Sequence, residues 1–161
     1  MTENEHIATA RGTNLGISTK FATEIARFVR GKSLVKAKKE LNGVLEQKVA
    51  VPFKRYIFDL GHKRGASGPG RYPIKATKEI LVLLESAEAN AENKGLDKEL
   101  LYVQNVIANK GTTQVRAGRK RARHTKRTHV QVILVEKEKK KEEKSKEEKK
   151  EKSKKWLKEN S

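Results

Sequence analysis

The feature that most limits what this chain can fold into is a basic stretch, residues 109–129, between two apolar runs. The run before it reads LLYVQNVIA and the run after it reads VQVILVE, and both have the β-branched composition and the length of strands. If the two runs pair antiparallel, the stretch between them is a long hairpin arm, because ordinary hairpin loops hold only about 2–5 residues. The stretch contains eight cations and no acid: Lys110, Arg116, Arg119, Lys120, Arg121, Arg123, Lys126 and Arg127. Such an arm has no core of its own, so it needs a polyanionic partner to compensate its charges.

The formal net charge of +18 over 161 residues narrows that partner to a nucleic acid or an anionic membrane. A membrane is disfavoured because no run approaches the ~20 apolar residues that span a bilayer, and residues 1–5 do not resemble a signal peptide. We therefore expect a cytoplasmic protein. Aromatic residues make up only 5% of the chain, which disfavours base stacking as the main binding mode. The absence of cysteine excludes disulfides, thiolate zinc sites and cysteine nucleophiles.

Three amphipathic helices are predicted ahead of the first hairpin strand. The first begins after Ser18 and ends before Gly31, and the second begins after Ser33, with both serines as N-cap candidates. The third spans about residues 76–94 and ends at Gly95. Their apolar faces are, in chain order, Phe21, Ile25, Phe28 and Val29; Leu34, Ala37, Leu41, Val44 and Leu45; and Ile80, Leu84, Ala87 and Ala91.

The helices need an apolar surface to cover, and the hairpin supplies one. Residues 6–11 alternate weakly and can add an edge strand to the hairpin sheet. On the first hairpin strand, alternation puts Val103 and Ile107 on one side and Tyr102 and Val106 on the other. The predicted fold class is α+β: three helices packed on a small three-stranded antiparallel sheet with a long extended β-hairpin arm.

Residues 49–75 carry three prolines and several glycines, which exclude a long regular element after Leu60. The segment also contains the basic residues Lys54, Arg55, His62, Lys63, Arg64 and Arg71. The phosphate-loop spacing G-x-x-x-x-G-K-[ST] is absent, and no strand precedes a helix there, so nucleotide hydrolysis is disfavoured. An RNA-contacting loop is favoured over a solvated surface loop, because glycine lets a backbone approach phosphates closely.

The sequence shows no catalytic constellation. No nucleophile is paired with a base, and the histidines His6, His62, His124 and His129 are scattered without metal-ligand spacing. The chain is thus predicted not to be an enzyme and to need no metal or cofactor. Residues 1–137 are predicted to form one domain that includes the arm, followed by a Lys/Glu-rich tail, 138–161, that is disordered or transiently helical.

A set of spaced segments between Ile7 and Lys137 resembles one known family. The chain is similar to the large-subunit ribosomal protein called L-twenty-two in bacteria and L-seventeen in eukaryotes, and more to its archaeal and eukaryotic branch. The segments that carry the resemblance are RGKS at 30–33, VPFKRY at 51–56, GRYP at 70–73, AEANAENKGLD at 87–97 and HVQVIL at 129–134. Family members have three helices against a three-stranded sheet with a long β-hairpin, which agrees with the fold predicted above.

The resemblance implies a structural role in the large ribosomal subunit: rRNA binding, help in subunit assembly, and a hairpin tip that lines the nascent-peptide tunnel. The implied partners are large-subunit rRNA, neighbouring ribosomal proteins and the nascent polypeptide. Taking the residue patterns and the resemblance together, the predicted rRNA-binding residues are Arg11, Lys20, Arg30, Lys32, Lys54, Arg55, His62, Lys63, Arg64, Arg71, Lys110, Arg121, Arg123, Lys126 and Arg127. The tunnel-lining tip would be Arg116, Ala117, Gly118, Arg119 and Lys120, with the chain reversing at Ala117-Gly118.

Two other functions remain open at this point. A helix-turn-helix DNA-binding regulator would use residues 18–45, where two helices meet at a short turn containing glycine. An extraribosomal RNA chaperone would use the same basic arm, and the sequence separates it poorly from a ribosomal protein.

Overall fold

The structure, a computed structural model, describes residues 6–57, 59–65, 68–119 and 122–137. The predictions for Lys120, Arg121 and the tail at 138–161 therefore lie outside the described residues, and the domain boundary at 137 stays a prediction. The elements are β1 (Ile7–Leu15), α1 (Thr19–Val29), α2 (Leu34–Leu45), β2 (Val51–Pro52), β3 (Gly70–Arg71), α3 (Ile74–Asn93), a 3₁₀ helix (Lys98–Leu100), β4 (Leu101–Lys110), β5 (Gln114–Val115), β6 (His124–Thr125) and β7 (Thr128–Glu136).

The α+β prediction is confirmed. The main sheet is antiparallel with the order β1-β7-β4, so the last strand lies at its centre and the N-terminal strand at one edge. Helix α3 packs on β1 and β7, and α1 packs on β4. Helix α2 differs from the simple prediction, since it packs mainly against α3 and makes a smaller contact with β4 of the sheet.

The predicted apolar faces form one core. Ile25, Leu41 and Leu84 are fully buried together with Val132 and Leu134 of the central strand. Phe53, also fully buried, meets the ring of Phe21 edge-on at a centroid distance of 5.3 Å. Ser18 and Ser33 occupy the N-cap positions of α1 and α2, but neither hydroxyl makes a cap hydrogen bond, so the capping interaction itself was wrongly predicted.

A β-bulge in β4 overturns the predicted alternation of that strand. Val103 lies opposite Leu134 and Asn105 opposite Ile133, which leaves Gln104 as an extra, exposed residue. Because one extra residue moves all later side chains to the opposite face, Val106 is buried under the helices and Ile107 is only half-buried.

Both edges of the main sheet are covered by other parts of the chain. On β1, the carbonyl oxygens of Ile7 and Thr9 accept hydrogen bonds from Lys94 Nζ at 2.7 Å and Asn90 Nδ2 at 2.9 Å, both from α3. On β4, Val103 exchanges backbone hydrogen bonds with Gly31 and Lys32, at 2.8 and 2.9 Å. The glycine between α1 and α2 therefore lies against the sheet edge rather than in an open turn.

The glycine-rich segment forms a loop closed at its base. Strands β2 and β3 pair, and the amide of Phe53 donates to the carbonyl of Pro69 at 3.0 Å. Within the loop, Gly65 has φ +78°, and a Cβ built there would lie 2.2 Å from the carbonyl oxygen of Lys48. Only glycine fits this position, which holds the preceding residues of the loop against the end of α2.

Candidate nucleic-acid interface

The base of the arm borders a cavity of about 530 Å³, which we call the root pocket. It opens where the start of α1 meets Arg71 of β3 and the two strands of the arm. Its lining residues are Ser18, Thr19, Lys20, Phe21, Ile57, Arg71, Lys110, Thr113, Lys126 and Arg127. Five of these are cations and none is an acid. The pocket thus has a cationic rim around the two apolar side chains.

The hairpin positions several of these cations. Thr128 is buried and donates to the carbonyl of Ile17 at 3.0 Å, and its hydroxyl lies 2.9 Å from that of Thr19. These bonds join the root of the arm to the start of α1. Next to it, Arg127 Nη1 donates to the carbonyl of Asn14 at 3.2 Å, which fixes the guanidinium at the pocket wall.

A second basic surface, the arginine groove, lies between α1 and β4. It is a cavity of about 300 Å³ with Arg27, Arg30 and Arg55 on its sides and Val106, Ile107 and Ala108 from the strand. The three arginines are exposed. Exposed guanidinium groups on a preformed surface suit bidentate hydrogen bonds to phosphate oxygens.

The side chain that organises the groove is an acid. Glu24 is only 1% exposed and accepts backbone N–H hydrogen bonds from Lys54 at 3.3 Å, Arg55 at 2.9 Å and Tyr56 at 2.7 Å. One carboxylate thereby fixes three successive amides, so the side chains of Lys54 and Arg55 remain exposed and point away from the core. Tyr56 lies between the two basic surfaces, with Lys20 Nζ 6.0 Å and Arg55 Cζ 5.4 Å from its ring centroid.

The arm is a second, narrower ribbon beyond the main sheet. Strands β5 and β6 pair, and the Arg116 amide donates to the carbonyl of Arg123 at 2.9 Å. The chain therefore reverses between Arg116 and Arg123, a range that contains the predicted Ala117-Gly118, and the position of the reversal within it stays a prediction. Gly118 has φ +127° in open space. All described residues from Thr112 to Arg119 are exposed.

Comparison with known proteins gives the family. The family model described as Ribosomal protein L22p/L17e matches residues 10–135. The chain belongs to this ribosomal protein family. Similar proteins include two that are named large ribosomal subunit protein uL22. The protein of Methanosphaera stadtmanae is 44% identical over 140 residues, which cover 83% of this chain and 91% of the relative. That of Methanococcus aeolicus is 43% identical over 142 residues, covering 84% and 93%.

For this L22p/L17e family member, the structure brings most of the residues predicted to bind RNA or to line the tunnel to four places. Lys20, Arg71, Lys110, Lys126 and Arg127 surround the root pocket. Arg30 and Arg55 line the arginine groove, beside Lys54. His62, Lys63 and Arg64 are exposed on the closed loop, and Arg116, Ala117, Gly118, Arg119 and Arg123 are exposed on the arm.

Two predicted residues lie apart from these surfaces. Lys32 is half-buried, forms an ion pair with Glu40 and places Nζ 3.7 Å from the ring centroid of Phe28. Its charge is therefore compensated inside the protein. Arg11 is exposed on the sheet face opposite the helices, because the buried Ala8 and Ala10 alternate with it.

Sequence reasoning missed two residues of the interface. Arg27 follows Lys20 by seven residues and precedes Arg30 by three, a spacing that places all three on one side of α1. That spacing was a usable signal. Glu24 carried no such signal, because its partners are 30–32 residues away in the chain.

The helix-turn-helix hypothesis receives no specific support from the described residues. Lys38 of α2 pairs with Glu88 of α3, and although Lys36 and Lys39 are exposed, a DNA-reading α2 would leave the basic arm unexplained. The described ranges contain no group of three or more His, Cys, Asp or Glu residues placed to hold a metal ion. They also contain no helix long and apolar enough to cross a bilayer.

Proposed function

We propose that this chain binds large-subunit rRNA through the arm, the root pocket, the arginine groove and the loop at 61–64, and that its arm tip contacts the nascent polypeptide. Membership in the L22p/L17e family makes the chain a structural constituent of the large subunit of the cytoplasmic ribosome. Its partners there are rRNA and other ribosomal proteins.

The observation that carries this proposal is the distribution of compensated and uncompensated charge. Lys32, Lys38 and Lys98 each pair with a glutamate on the helical side of the molecule. In contrast, the described part of the arm, 109–119 and 122–129, contains no acid and no ion pair. Cations without carboxylate partners are available for phosphates, and each phosphate contact releases condensed counterions.

The fold supports a role in subunit assembly. The arm and the globular surfaces are separate basic regions joined through one hairpin, since β4 leads into β5 and β6 leads into β7 by connections of two or three residues. A protein of this shape can hold two RNA segments at a fixed separation. The function is therefore structural and electrostatic, without a catalytic step.

Sedimentation of a native lysate through a sucrose gradient at moderate salt tests the proposal. The chain should migrate with large subunits and translating ribosomes, and high salt or RNase should release it. A second experiment tests the contact with the nascent polypeptide: a photoreactive amino acid placed at Ala117 should crosslink to nascent chains in stalled ribosomes. If the chain stays at the top of the gradient, it acts outside the ribosome, as an RNA chaperone would.

A further inference from the structure

We infer that the root pocket holds a single unstacked RNA nucleotide, with the base on Phe21 and Ile57 and its phosphates on the cationic rim. This inference rests on the proposed function, because it names the ligand of one part of the RNA-binding surface. The cavity of about 530 Å³ lies in the range of ~300–1,000 Å³ that is typical of ligand pockets.

The composition of the pocket argues for a base as well as a phosphate. A site for phosphate alone needs only cations and backbone amides. The arginine groove has aliphatic side chains beside its cations but no aromatic ring. The root pocket instead combines Lys20, Arg71 and Lys126 with an aromatic ring and an aliphatic side chain. A nucleotide has the same two parts, a flat apolar base and an anionic phosphate, and unpaired bases stack on aromatic side chains.

Phe21 and Ile57 form the apolar floor of the root pocket. The backbone at Ile57 indicates that the rest of the fold holds this floor in place. Ile57 has φ +55°, a left-handed conformation that β-branched residues rarely adopt. Such a conformation persists only where the surroundings impose it, and strained residues of this kind are concentrated at ligand sites. Here Glu24 imposes it, because its carboxylate holds the amides of Arg55 and Tyr56 immediately before the turn.

The arm contributes to the pocket through a change of register. Lys110 lies opposite Thr128, while Gln114 lies opposite Thr125, so the outgoing strand has one more residue than the returning strand between these pairs. Without the extra residue, alternation would place Lys110 and Thr113 on opposite faces. With it, both line the pocket.

The test compares two short RNAs that bind the purified full chain: a perfectly paired duplex and the same duplex with one extrahelical uridine. The wild-type chain should bind the bulged RNA about tenfold more tightly, the effect expected for one stacked base. Phe21→Leu and Ile57→Gly should reduce that preference to within about twofold without changing the salt dependence. Ile57→Gly keeps the fold, since glycine accepts the positive φ, and Val82→Ala, an exposed position on α3, is the matched control.

A second variant separates charge from stacking. Lys126→Ala should weaken both RNAs and lower the slope of log affinity against log salt by roughly 0.7–0.9, while the preference for the bulge remains. Equal binding of the two RNAs by the wild type, or an undiminished preference in both floor variants, would overturn the nucleotide pocket but leave RNA binding intact. Absence of salt-dependent binding to either RNA would overturn the proposed function together with the pocket.

Discussion

The helical layer and the arm both carry lysine and arginine, but these cations have different surroundings in the two regions. In the helical layer, acids hold several of the lysines: Lys98 Nζ lies 2.5 Å from Glu92 and Lys48 Nζ lies 2.7 Å from Glu46. The hydrogen bond from Lys98 to Glu92 raises the pKa of that lysine, and the bond from Lys48 to Glu46 acts in the same way on its pKa. The described arm has no acid, and its side chains bond to neutral partners, as Arg116 Nε does to Thr125 Oγ1 at 3.4 Å and Arg127 Nη1 does to the carbonyl of Asn14 at 3.2 Å.

This difference separates charges that belong to the fold from charges that are available to a ligand. A paired lysine gains little by leaving its carboxylate for a phosphate, because the carboxylate would then be left next to RNA. An arm arginine has no such partner to leave. Net charge alone therefore overstates the number of cations that contribute to RNA binding.

The largest effect is expected when three arm arginines lose their charge. The triple variant Arg116→Gln, Arg119→Gln and Arg123→Gln should weaken RNA binding by about two orders of magnitude at ~0.1 M salt and lower the salt slope by roughly 2 to 3. Titration of a fluorescent RNA at several salt concentrations measures both quantities.

Three paired lysines provide the matched control, since they remove the same charge. The variant Lys32→Gln, Lys38→Gln and Lys98→Gln should leave the salt slope within about 0.5 of the wild-type value. Equal loss of slope in the two triple variants would show that only net charge matters and would remove the distinction between the two regions.

Next in size is the loss of Glu24, the one buried acid among the described residues. Glu24→Ala leaves three backbone amides without an acceptor, so the free energy of unfolding should fall by about 2 kcal/mol. Urea denaturation measures this change. Glu85→Ala, at an exposed acid of α3, should change stability by no more than about 0.5 kcal/mol. Similar small losses for both variants would mean that water satisfies the amides at 54–56.

The smallest expected effect concerns the closed loop. Gly65→Ala should destabilise the protein by about 1 kcal/mol, because the new Cβ meets the Lys48 carbonyl and φ is positive. Gly61→Ala, where a Cβ meets nothing within 4 Å, should be neutral or slightly stabilising. The midpoints of thermal unfolding of the two variants measure this difference. Identical midpoints would show that the loop does not depend on the close approach of residue 65 to the Lys48 carbonyl.

The helices follow from local sequence patterns, which is why they could be predicted. Residues such as Ile80, Leu84, Ala87 and Ala91 repeat at helical spacing, and each is buried as expected. The burial of Val106 could not be predicted in the same way. A bulge at Gln104 depends on the partner strand, and nothing within residues 101–110 marks which residue is extra.

The sequence identifies which residues of the candidate interface are basic, but it does not show which of them are paired with acids. The sequence identifies Lys32 and Arg55 equally well as basic residues next to glycine or proline motifs. Whether a cation is free depends on acids that are distant in sequence, and Glu40 pairs with Lys32 across eight positions. The role of Glu24 is even harder to predict from the sequence, because its carboxylate accepts hydrogen bonds from backbone amides of a distant segment, and these amides carry no residue-specific signal.

The covered edges of the main sheet have a consequence for the free protein, before it is assembled into a ribosome. Newly made ribosomal protein must wait for its RNA, and an open strand edge in that interval would recruit a second chain by hydrogen bonding. Lys94 and Asn90 occupy the acceptors of β1, and the α1–α2 junction occupies Val103 of β4. The arm, whose strands have no such cover among the described residues, is protected by the mutual repulsion of its arginines. The same charges that bind RNA thus keep unassembled copies apart.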